Sequence, residues 1–339
     1  MNTKTMKAWT FKRYGKLPDA GFDDVDIPSP GANEMLVKVC AVGLNPIDNM
    51  IPTGIFRPVL RFQLPAILGS DLSGIVTAVG KDVTRFRPGD AVFASIFDTG
   101  NGSLAEFAVV SEGAAALKPA NLDFVQAASL PMVSLTAWQA LAERAGLRSG
   151  QKVFIPAGSG GIGTLAIQLA KQMGATVATT TSTGNVEWLK PLGADQVIDY
   201  KKQAFTDVLA EVDVVLGTIR GEAMEKAIAI LRPGGKIVSL VGPLDAAFAR
   251  ARGLNVLLTL VFAFMSRRIM RLAKKRGVSY LFLFVRPDGE RLSKIGSLLE
   301  TEQIKPVIDR VFPFAETRQA LAYLAEGHAK GKVVVRMPN

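Results

Sequence analysis

A glycine-rich stretch, PAGSGGIG, has the residue types and spacing that point most directly to a bound ligand. Gly158, Gly160 and Gly163 satisfy the pattern G-x-G-x-x-G, which follows the apolar residues 153–155 and opens a run of helical period. Such glycines let the backbone approach a pyrophosphate, and the first turn of the helix offers unpaired N–H groups. The stretch therefore predicts a dinucleotide site. The alternative is a glycine-rich turn that binds no ligand.

The strand predicted after that helix ends in hydroxyl side chains and not in a carboxylate. Residues 179–183 read TTTST, where NAD sites place an acidic residue for the ribose 2′-hydroxyl. A carboxylate would repel a 2′-phosphate, whereas hydroxyls and nearby cations accept one. We therefore expect NADP (NADPH) as the cofactor, although these threonines could also be plain strand formers.

The pattern of apolar residues changes along the chain. Up to about residue 125, short β-branched runs separated by Gly and Pro indicate an irregular, mostly antiparallel β domain. From Gln126 to about residue 280, strands alternate with helices, and such helices are the crossovers that parallel strands require. The predicted fold class is α/β, with a β-rich domain and a doubly wound parallel sheet.

Composition limits the location and the partners that we expect. The single cysteine, Cys40, excludes an intramolecular disulfide and a multi-cysteine zinc site, and no apolar run of signal-peptide length opens the sequence. We therefore expect a cytoplasmic protein. The net charge of +10 favours anionic ligands. The longest apolar run, Leu254–Met265, is too short for a membrane span.

A basic run follows that apolar run directly. Residues 266–277, SRRIMRLAKKRG, contain six cations. An amphipathic element of this kind could contact anionic lipid or RNA. The favoured interpretation is a helix over a cleft or at a subunit contact, with a solvated outer face. Because no aromatic residues lie between the cations, single-stranded nucleic acid is a weaker candidate.

Several segments together resemble a known superfamily. In order along the chain they are GLNPIDN, LPAILGSDLSGIVTAVG, FRPGDAVFA, GSLAEFAVV, AASLPMVSLTAWQAL, AGSGGIGTLAIQLAKQMGA, LGADQVIDY, LRPGGKIVSLVG and GHAKGKVVV. Their order and spacing are similar to those of the medium-chain dehydrogenase/reductase superfamily. The resemblance is greatest to its zinc-independent branch of quinone oxidoreductases and enone reductases.

This resemblance implies a division of the chain and an assembly. Residues 1–125 would form the N-terminal part of a GroES-like catalytic domain, residues 126–280 a Rossmann domain that binds NAD(P), and residues 281–339 the return to the catalytic domain. The cofactor would lie in the cleft between the domains. The resemblance also implies homodimers or tetramers, and we expect a homodimer.

The same resemblance predicts that the site lacks a metal. In zinc-dependent relatives a cysteine and a histidine bind the metal, and the matching positions here are Asn45 and Ser70. Cys40 falls five residues earlier in an apolar strand, where a small buried thiol is the expected interpretation. The single histidine, His328, is expected at the surface or at a helix end and cannot supply a three-ligand site.

Without a metal, the reaction that suits the site is hydride transfer. The acceptor would be a compound that is already reactive because its carbonyl group is conjugated. We expect a quinone or an α,β-unsaturated carbonyl, with the protein orienting the reactants and hydrogen bonding the developing oxyanion. By resemblance, Asn45 and Thr136 are the catalytic contacts to the nicotinamide. Met50 replaces a tyrosine or lysine of relatives, and a thioether cannot donate a proton. Water would then protonate the carbanion.

The remaining candidates line the substrate pocket or bind the cofactor. With Met50, the expected wall residues are Phe56, Phe93 and Phe97, although large apolar side chains of this kind are more often plain core. Lys332 matches a basic position of the family, and Asn185 replaces a lysine that would help to bind a 2′-phosphate. The expected cofactor contacts are Gly158, Ser159, Gly160, Gly161, Ile162, Gly163, Ser182, Asn185, Tyr200, Val241, Gly242, Phe282, Leu283, Phe284 and Lys332.

Two hypotheses of different class follow from these residues. The first is an NADPH-dependent, zinc-independent reductase of quinones or enones. The second is an NADPH-binding regulatory or RNA-interacting protein with little turnover, as some lens relatives of the branch suggest. The glycine stretch supports both equally, and Asn45 with the segment SLTAW favours the first.

Overall fold

The computed structural model describes residues 5–15, 19–60 and 62–338, which divide into two compact units. The first unit comprises Met1–Leu135 and Arg286–Asn339, and the second comprises Thr136–Val285. The domain bounds expected from the sequence, near residues 126 and 280, stay a prediction.

The N-terminal part of the first unit consists mainly of short strands. Its strands are β1 Thr5–Phe11, β2 Ala20–Asp26, β3 Glu34–Leu44, β4 Ala66–Ile67, β5 Asp71–Val79, β6 Ala91–Ser95, β7 Phe107–Ser111 and β8 Ala115–Leu117. Its helices are α1 Pro46–Met50, α2 Phe124–Ala128 and α3 Pro131–Trp138, of which α3 continues past Leu135.

Strands and helices alternate in the second unit. Its strands are β9 Lys152–Ile155, β10 Thr176–Thr181, β11 Gln196–Asp199, β12 Val212–Gly217, β13 Leu231–Ser239 and β14 Ser279–Phe282. Its helices are α4 Gly161–Gln172, α5 Val186–Leu189, α6 Glu222–Ala229, α7 Ala246–Ala251 and α8 Val256–Arg276.

The C-terminal segment returns to the first unit. It contains α9 Gly289–Glu300, β15 Ile308–Pro313, α10 Thr317–Ala325 and β16 Lys332–Arg336. Strand β16 pairs antiparallel with the end of β3, so that Val333 lies opposite Leu44. The end of the chain is therefore hydrogen bonded to a strand that lies some 290 residues earlier in the sequence.

Antiparallel pairing dominates the first unit, as the short β-branched runs predict. The larger sheet has the strand order β15-β16-β3-β5-β6-β8 with β7 also paired to β3, and the smaller has the order β2-β1-β4. Only β15 and β16 pair in parallel within these two sheets. Helix α2 packs its small residue Ala128 against Ala41 and Val334, and Gly43 allows this close approach because a Cβ there would overlap the Ala128 carbonyl.

The second unit contains a single parallel sheet with the order β11-β10-β9-β12-β13-β14. Numbered along the chain, this order is 3-2-1-4-5-6, which is the doubly wound arrangement of Rossmann folds. The predicted fold class is therefore confirmed. The order reverses between β9 and β12, and ligands of such sheets bind beyond the carboxyl ends of the strands at this point.

Most helices expected from the sequence are present, with changes at their ends. The helix predicted over SLTAWQALAERAG ends at Gly146 as expected, but residues Gln139–Ala145 form a π-helix that continues α3. The pattern of the run EAMEKAIAILRPGG predicts one helix, but α6 stops at Ala229 and β13 begins at Leu231. Within the described residues, no helix is both long and apolar enough for a membrane span.

The central strand β9 supplies a stability test for the parallel sheet. Phe154 is fully buried between β10 and β12 and lies 4.9 Å from the ring of Phe205. We expect Phe154→Ala to lower the free energy of unfolding by about 3–5 kcal/mol, because it removes a large buried side chain and leaves a cavity. Phe264, which is 73% exposed, provides the matched control. Urea unfolding followed by circular dichroism should show Phe264→Ala within about 0.5 kcal/mol of the wild type; equal losses in the two variants would contradict this packing.

Candidate active site

The glycine stretch forms a tight loop between β9 and α4. Ala157 adopts a φ of 55°, and its carbonyl accepts a hydrogen bond from the Gly160 N–H at 3.1 Å. A Cβ at Gly158 would overlap the hydroxyl of Thr179, and a Cβ at Gly163 would overlap the backbone of Ala157 and Gly158. Two of the three motif glycines are therefore required by the packing of the loop itself.

Gly160 differs from these two glycines. It is the N-cap of α4, and a Cβ built on it would meet nothing nearer than the Ala157 carbonyl oxygen at 3.5 Å. The protein itself therefore leaves room for a side chain at this position. The first N–H groups of a helix have no partner within the helix, and their dipole end attracts an anion. The open space beside Gly160 and these N–H groups fits a pyrophosphate, so the residues present are compatible with a dinucleotide.

Hydroxyl groups at the end of β10 hold the glycine loop in place. The Ala157 N–H donates to Thr180 Oγ1 at 3.2 Å, and the Gly158 N–H donates to the Thr180 carbonyl at 3.0 Å. Thr181 Oγ1 donates to Ser159 Oγ at 3.1 Å. The threonines are therefore more than strand formers, because their hydroxyls and carbonyls define the shape of the loop.

The residues expected to bind a 2′-phosphate follow β10 and β11. Asn185, which is 8% exposed, donates from Nδ2 to Ser182 Oγ at 3.2 Å and accepts from Trp188 Nε1 at the same distance. Its amide thus fixes the turn after β10. Tyr200 is 60% exposed at the end of β11, and its N–H donates to the Thr181 carbonyl. Ser182 and Tyr200 are hence attached to the same strand end, and their role toward a phosphate stays a prediction.

The late strands bring the other expected cofactor residues to the same edge of the parallel sheet. Val241 and Gly242 follow β13, and Leu283 and Phe284 follow β14, whose last residue is Phe282. The Leu283 N–H donates to the Ser239 carbonyl at 2.9 Å. The phenyl ring of Phe248 lies 5.1 Å from that of Phe282 and 5.4 Å from that of Phe284.

A buried network of charged and amide groups lies in the first unit, around the N-terminus of α1. Lys332 Nζ donates to Asn45 Oδ1 at 2.6 Å and to the Leu44 carbonyl at 2.7 Å, and it lies 3.7 Å from Asp71 Oδ2. Asn45 Nδ2 donates to Asp71 Oδ2 at 3.0 Å and to the Gly43 carbonyl at 3.3 Å. The amide orientation is unambiguous, because a lysine can only donate and a carboxylate accepts.

A second carboxylate extends this network. Asp48 Oδ2 accepts from the Asn45 N–H at 2.7 Å, and Asp48 Oδ1 accepts from Ser70 Oγ at 2.8 Å. The Met132 N–H donates to Asp71 Oδ1 at 3.0 Å. Asp48 and Asp71 are both fully buried, and Lys332 is 4% exposed. The network therefore joins strands β3, β5 and β16 through groups that water does not reach.

Burial shifts the ionisation of all three groups. It raises the pKa of Asp48 to about 6, against the hydrogen bonds from Asn45 and Ser70. It also raises the pKa of Asp71, and the nearby ammonium of Lys332 opposes that rise. Burial lowers the pKa of Lys332, while Asp71 and Asp48 act in the opposite direction. Asp48 therefore exchanges its proton near pH 6, where its contribution to the charge of the cluster changes.

The donor set does not fit the zinc ion that zinc-dependent members of the superfamily bind. Asn45 and Ser70 occupy the ligand positions, and their side chains are committed to Lys332, Asp71 and Asp48. No group of three or more His, Cys, Asp or Glu within the described ranges could hold a metal ion. Cys40 is half-buried, and burial raises the pKa of its thiol, which disfavours the thiolate that binds metals.

The predicted pocket residues differ in accessibility. Met50 ends α1 and Phe56 follows it, and both are half-buried, so their side chains retain surface for a ligand. Phe93 is 0% exposed in β6 and Phe97 is 3% exposed, which places both in the core of the first unit. Their assignment to the substrate pocket stays a prediction, and the burial of both side chains does not support it. Thr136 in α3 is 5% exposed.

Lys332 and two aspartates show what sequence reasoning missed. Lys332 was expected to bind the cofactor; that stays a prediction, and the structure places its ammonium inside the network. Asp48 and Asp71 were not singled out. The spacing Asn45-x-x-Asp48 is that of a capping box, and Asp71 interrupts an apolar run, so both carried a signal. His328 is exposed, as expected.

Two protein families match separate parts of the chain. Residues 31–120 match the alcohol dehydrogenase GroES-like domain family, and residues 192–335 match the zinc-binding dehydrogenase family. The chain is similar over 99% of its length to the structure of the quinone oxidoreductase from Coxiella burnetii, which it covers completely, with a TM-score of 0.84 and 33% identity.

Two plant proteins named as reductases are similar over nearly the whole chain. The 2-methylene-furan-3-one reductase of Solanum lycopersicum is 36% identical over 97% of this chain and 79% of its own length. The NADPH-dependent alkenal/one oxidoreductase, chloroplastic, of Arabidopsis thaliana is 34% identical over 98% of this chain and 80% of its own. Together with the GroES-like match and the parallel sheet, these likenesses show that the chain belongs to the medium-chain dehydrogenase/reductase superfamily, with quinone oxidoreductases and enone reductases as its relatives.

Proposed function

We propose that this protein is an NADPH-dependent, zinc-independent oxidoreductase that transfers hydride to a quinone or an α,β-unsaturated carbonyl. The observation that carries the proposal is similarity over nearly the whole chain to enzymes named as reductases of such compounds. Since both units are covered, the likeness extends to the substrate side as well as to the dinucleotide side.

The glycine loop supports the cofactor part of the proposal. Gly160 leaves open space where the N-terminus of α4 would meet a pyrophosphate. The end of β10 presents Thr181 and Ser182 instead of a carboxylate. Strand β10 itself therefore contributes no carboxylate that would repel a 2′-phosphate, and Tyr200 offers a further hydroxyl nearby in the chain. Asp199 of β11 lies opposite Thr181, and the ammonium of Lys202, 3.8 Å from its carboxylate, offsets its charge. These features favour NADPH over NADH.

The buried network supports a reaction that does not use a metal. A bound NADPH supplies the hydride, and a conjugated acceptor needs no strong Lewis acid. Both amide hydrogens of Asn45 are donated within the protein. Its proposed part is therefore to keep a polar wall rigid beside the nicotinamide, with Lys332 and Asp71 holding its orientation, while Thr136 supplies the second contact.

On the substrate side, the proposal assigns the wall to Met50 and Phe56. Both are half-buried and neither can donate a proton. A pocket of this kind suits an apolar acceptor whose carbanion takes its proton from water. We also propose that the protein acts as a homodimer, which the family resemblance implies. We place it in the cytoplasm, because a chain with a single cysteine forms no internal disulfide and suits a reducing compartment.

The function is tested by measuring the oxidation of NADPH and NADH with a panel of 2-alkenals and quinones. We expect turnover with NADPH at least about tenfold faster than with NADH, because the strand end lacks a carboxylate. A chelator should leave the rate unchanged. Loss of activity with the chelator would contradict the metal-free reaction, and equal use of both cofactors would contradict the NADP assignment. Tight NADPH binding without turnover would instead favour the binding-protein alternative.

Replacement of Gly160 tests the position of the pyrophosphate. Because the protein leaves space there, we expect Gly160→Ala to keep the wild-type melting temperature while its methyl group weakens NADPH binding by about tenfold or more. Gly113→Ala is the matched control, since a Cβ there would meet only Ser111 Oγ at 4.0 Å. Fluorescence titration with NADPH gives both dissociation constants. An unchanged constant for Gly160→Ala would place the pyrophosphate elsewhere.

The buried carboxyl group of Asp48 makes the stability of the protein depend on pH. Its pKa is raised to about 6 in the folded state, so between about pH 4 and pH 6 the folded state retains a proton that the unfolded state has lost. The contribution of Asp48 to stability therefore falls as pH rises through this window. The side chain of Asn in the variant Asp48→Asn does not titrate. We therefore expect the difference in free energy of unfolding, variant minus wild type, to increase by about 2 kcal/mol as the pH rises from about 4 to about 6.

The measurement is urea unfolding of both proteins at a series of pH values. Asp24→Asn serves as the control, because the Asp24 side chain is 60% exposed and pairs with Lys7 in an exposed contact. If the free energies of unfolding of wild type and Asp48→Asn change in parallel from pH 4 to pH 7, burial does not raise the pKa of Asp48.

A further inference from the structure

Helix α8 carries an exposed face that the proposed function does not use. Its N-terminal half presents six largely exposed apolar side chains to solvent: Val256, Leu257, Leu260, Val261, Phe264 and Met265, which are between 41% and 75% exposed. A contiguous apolar surface of this kind on a folded protein marks an interaction site.

The opposite face anchors the helix in the second unit. Phe262, Ser266, Ile269 and Ala273 are buried, and Ile269 and Ala273 belong to the core of the parallel sheet. Asn255 caps the first turn by accepting from the Leu258 N–H, and Gly277 ends the helix with a φ of 68°. Both ends and the inner face are therefore satisfied, so the apolar outer face is a feature of a well-held helix.

The exposed face changes character along its length. Val256, Leu260 and Phe264 lie four residues apart on one stripe, and Arg267 and Arg271 continue that stripe toward the C-terminus. The C-terminal half carries Arg267, Arg268, Arg271, Lys274, Lys275 and Arg276, all exposed. Of these six, only Arg268 has an ion-pair partner among the described residues, namely Glu225 of α6.

Charge is concentrated around this helix to an unusual degree. Residues 246–287 contain nine Lys or Arg and no Asp or Glu. This stretch therefore accounts for nine of the ten net positive charges of the chain, and the rest is close to neutral. Six of these nine cations lie in the C-terminal half of α8, which makes this part of the helix complementary to an extended anionic surface.

We propose that the exposed face of α8 binds the surface of an anionic lipid bilayer. Apolar side chains of the N-terminal half would enter the interface, and the cations of the C-terminal half would contact acidic headgroups, which is the composition of interfacial helices. A second copy of the chain would bring the same unpaired cations to the contact. A nucleic acid would use the cations but leave Phe264 and its apolar neighbours without a partner.

The test is co-sedimentation of the full-length protein with vesicles. The probes are vesicles of phosphatidylcholine alone and of phosphatidylcholine with about one third phosphatidylserine. We expect binding to the acidic vesicles only, weakened in high salt. Lys274→Gln with Lys275→Gln should lower the affinity about 30-fold, at roughly a factor of five per cation. Leu260→Gln with Phe264→Gln should lower it by at least as much.

The control is Lys81→Gln with Lys294→Gln, which removes the same charge from exposed positions outside residues 246–287. This control should bind acidic vesicles like the wild type, and circular dichroism should show all variants folded. Equal binding to both kinds of vesicle, or an equal loss in the control, would overturn the proposal. It would also be overturned if Leu260→Gln with Phe264→Gln converted a dimer to a monomer and left vesicle binding intact. RNA binding that needs the lysines but not Leu260 and Phe264, with no vesicle binding, would assign the face to nucleic acid.

Discussion

The buried ammonium of Lys332 is the interaction on which the β-rich unit depends. It joins β16 to the end of β3 through Leu44 and Asn45, and through Asp71 to the start of β5. An ammonium that loses its partners in such a place destabilises a protein by about 3–5 kcal/mol, so each partner is required by the others. The geometry of Asn45 follows from this constraint, because its amide must accept from the lysine and donate to the aspartate at the same time.

The second unit depends on a steric constraint instead. Thr179 occupies the space next to Gly158, and the backbone of the loop occupies the space next to Gly163. These two glycines keep β9, β10 and α4 close together, and Gly160 alone faces space that the protein leaves open. One motif thus contains two structural glycines and one that a ligand can use, a distinction that the letters G-x-G-x-x-G do not express.

What could be predicted from the sequence was mainly local. The period of apolar residues and the glycine stretch predicted the parallel sheet correctly, because strand, turn and helix follow one another along the chain. The network of Asn45, Asp71 and Lys332 could not be derived in this way, since its members are up to 287 positions apart and meet only through sheet pairing. Asn185 differs from this network, because its amide bridges Ser182 and Trp188, which are only three residues away on either side.

The network also explains why a metal site and this site are alternatives. A cysteine at position 45 would restore a zinc ligand by type, but it would remove the amide that accepts from Lys332 and donates to Asp71. A histidine at position 70 would remove the hydroxyl that Asp48 accepts from. Either change alone leaves a buried charge short of a hydrogen bond, at a loss of about 1–3 kcal/mol or more. The chain would have to exchange several buried groups together before a metal could stabilise the result, so the loss of the zinc ligands and the presence of the lysine network are one coupled feature of this fold.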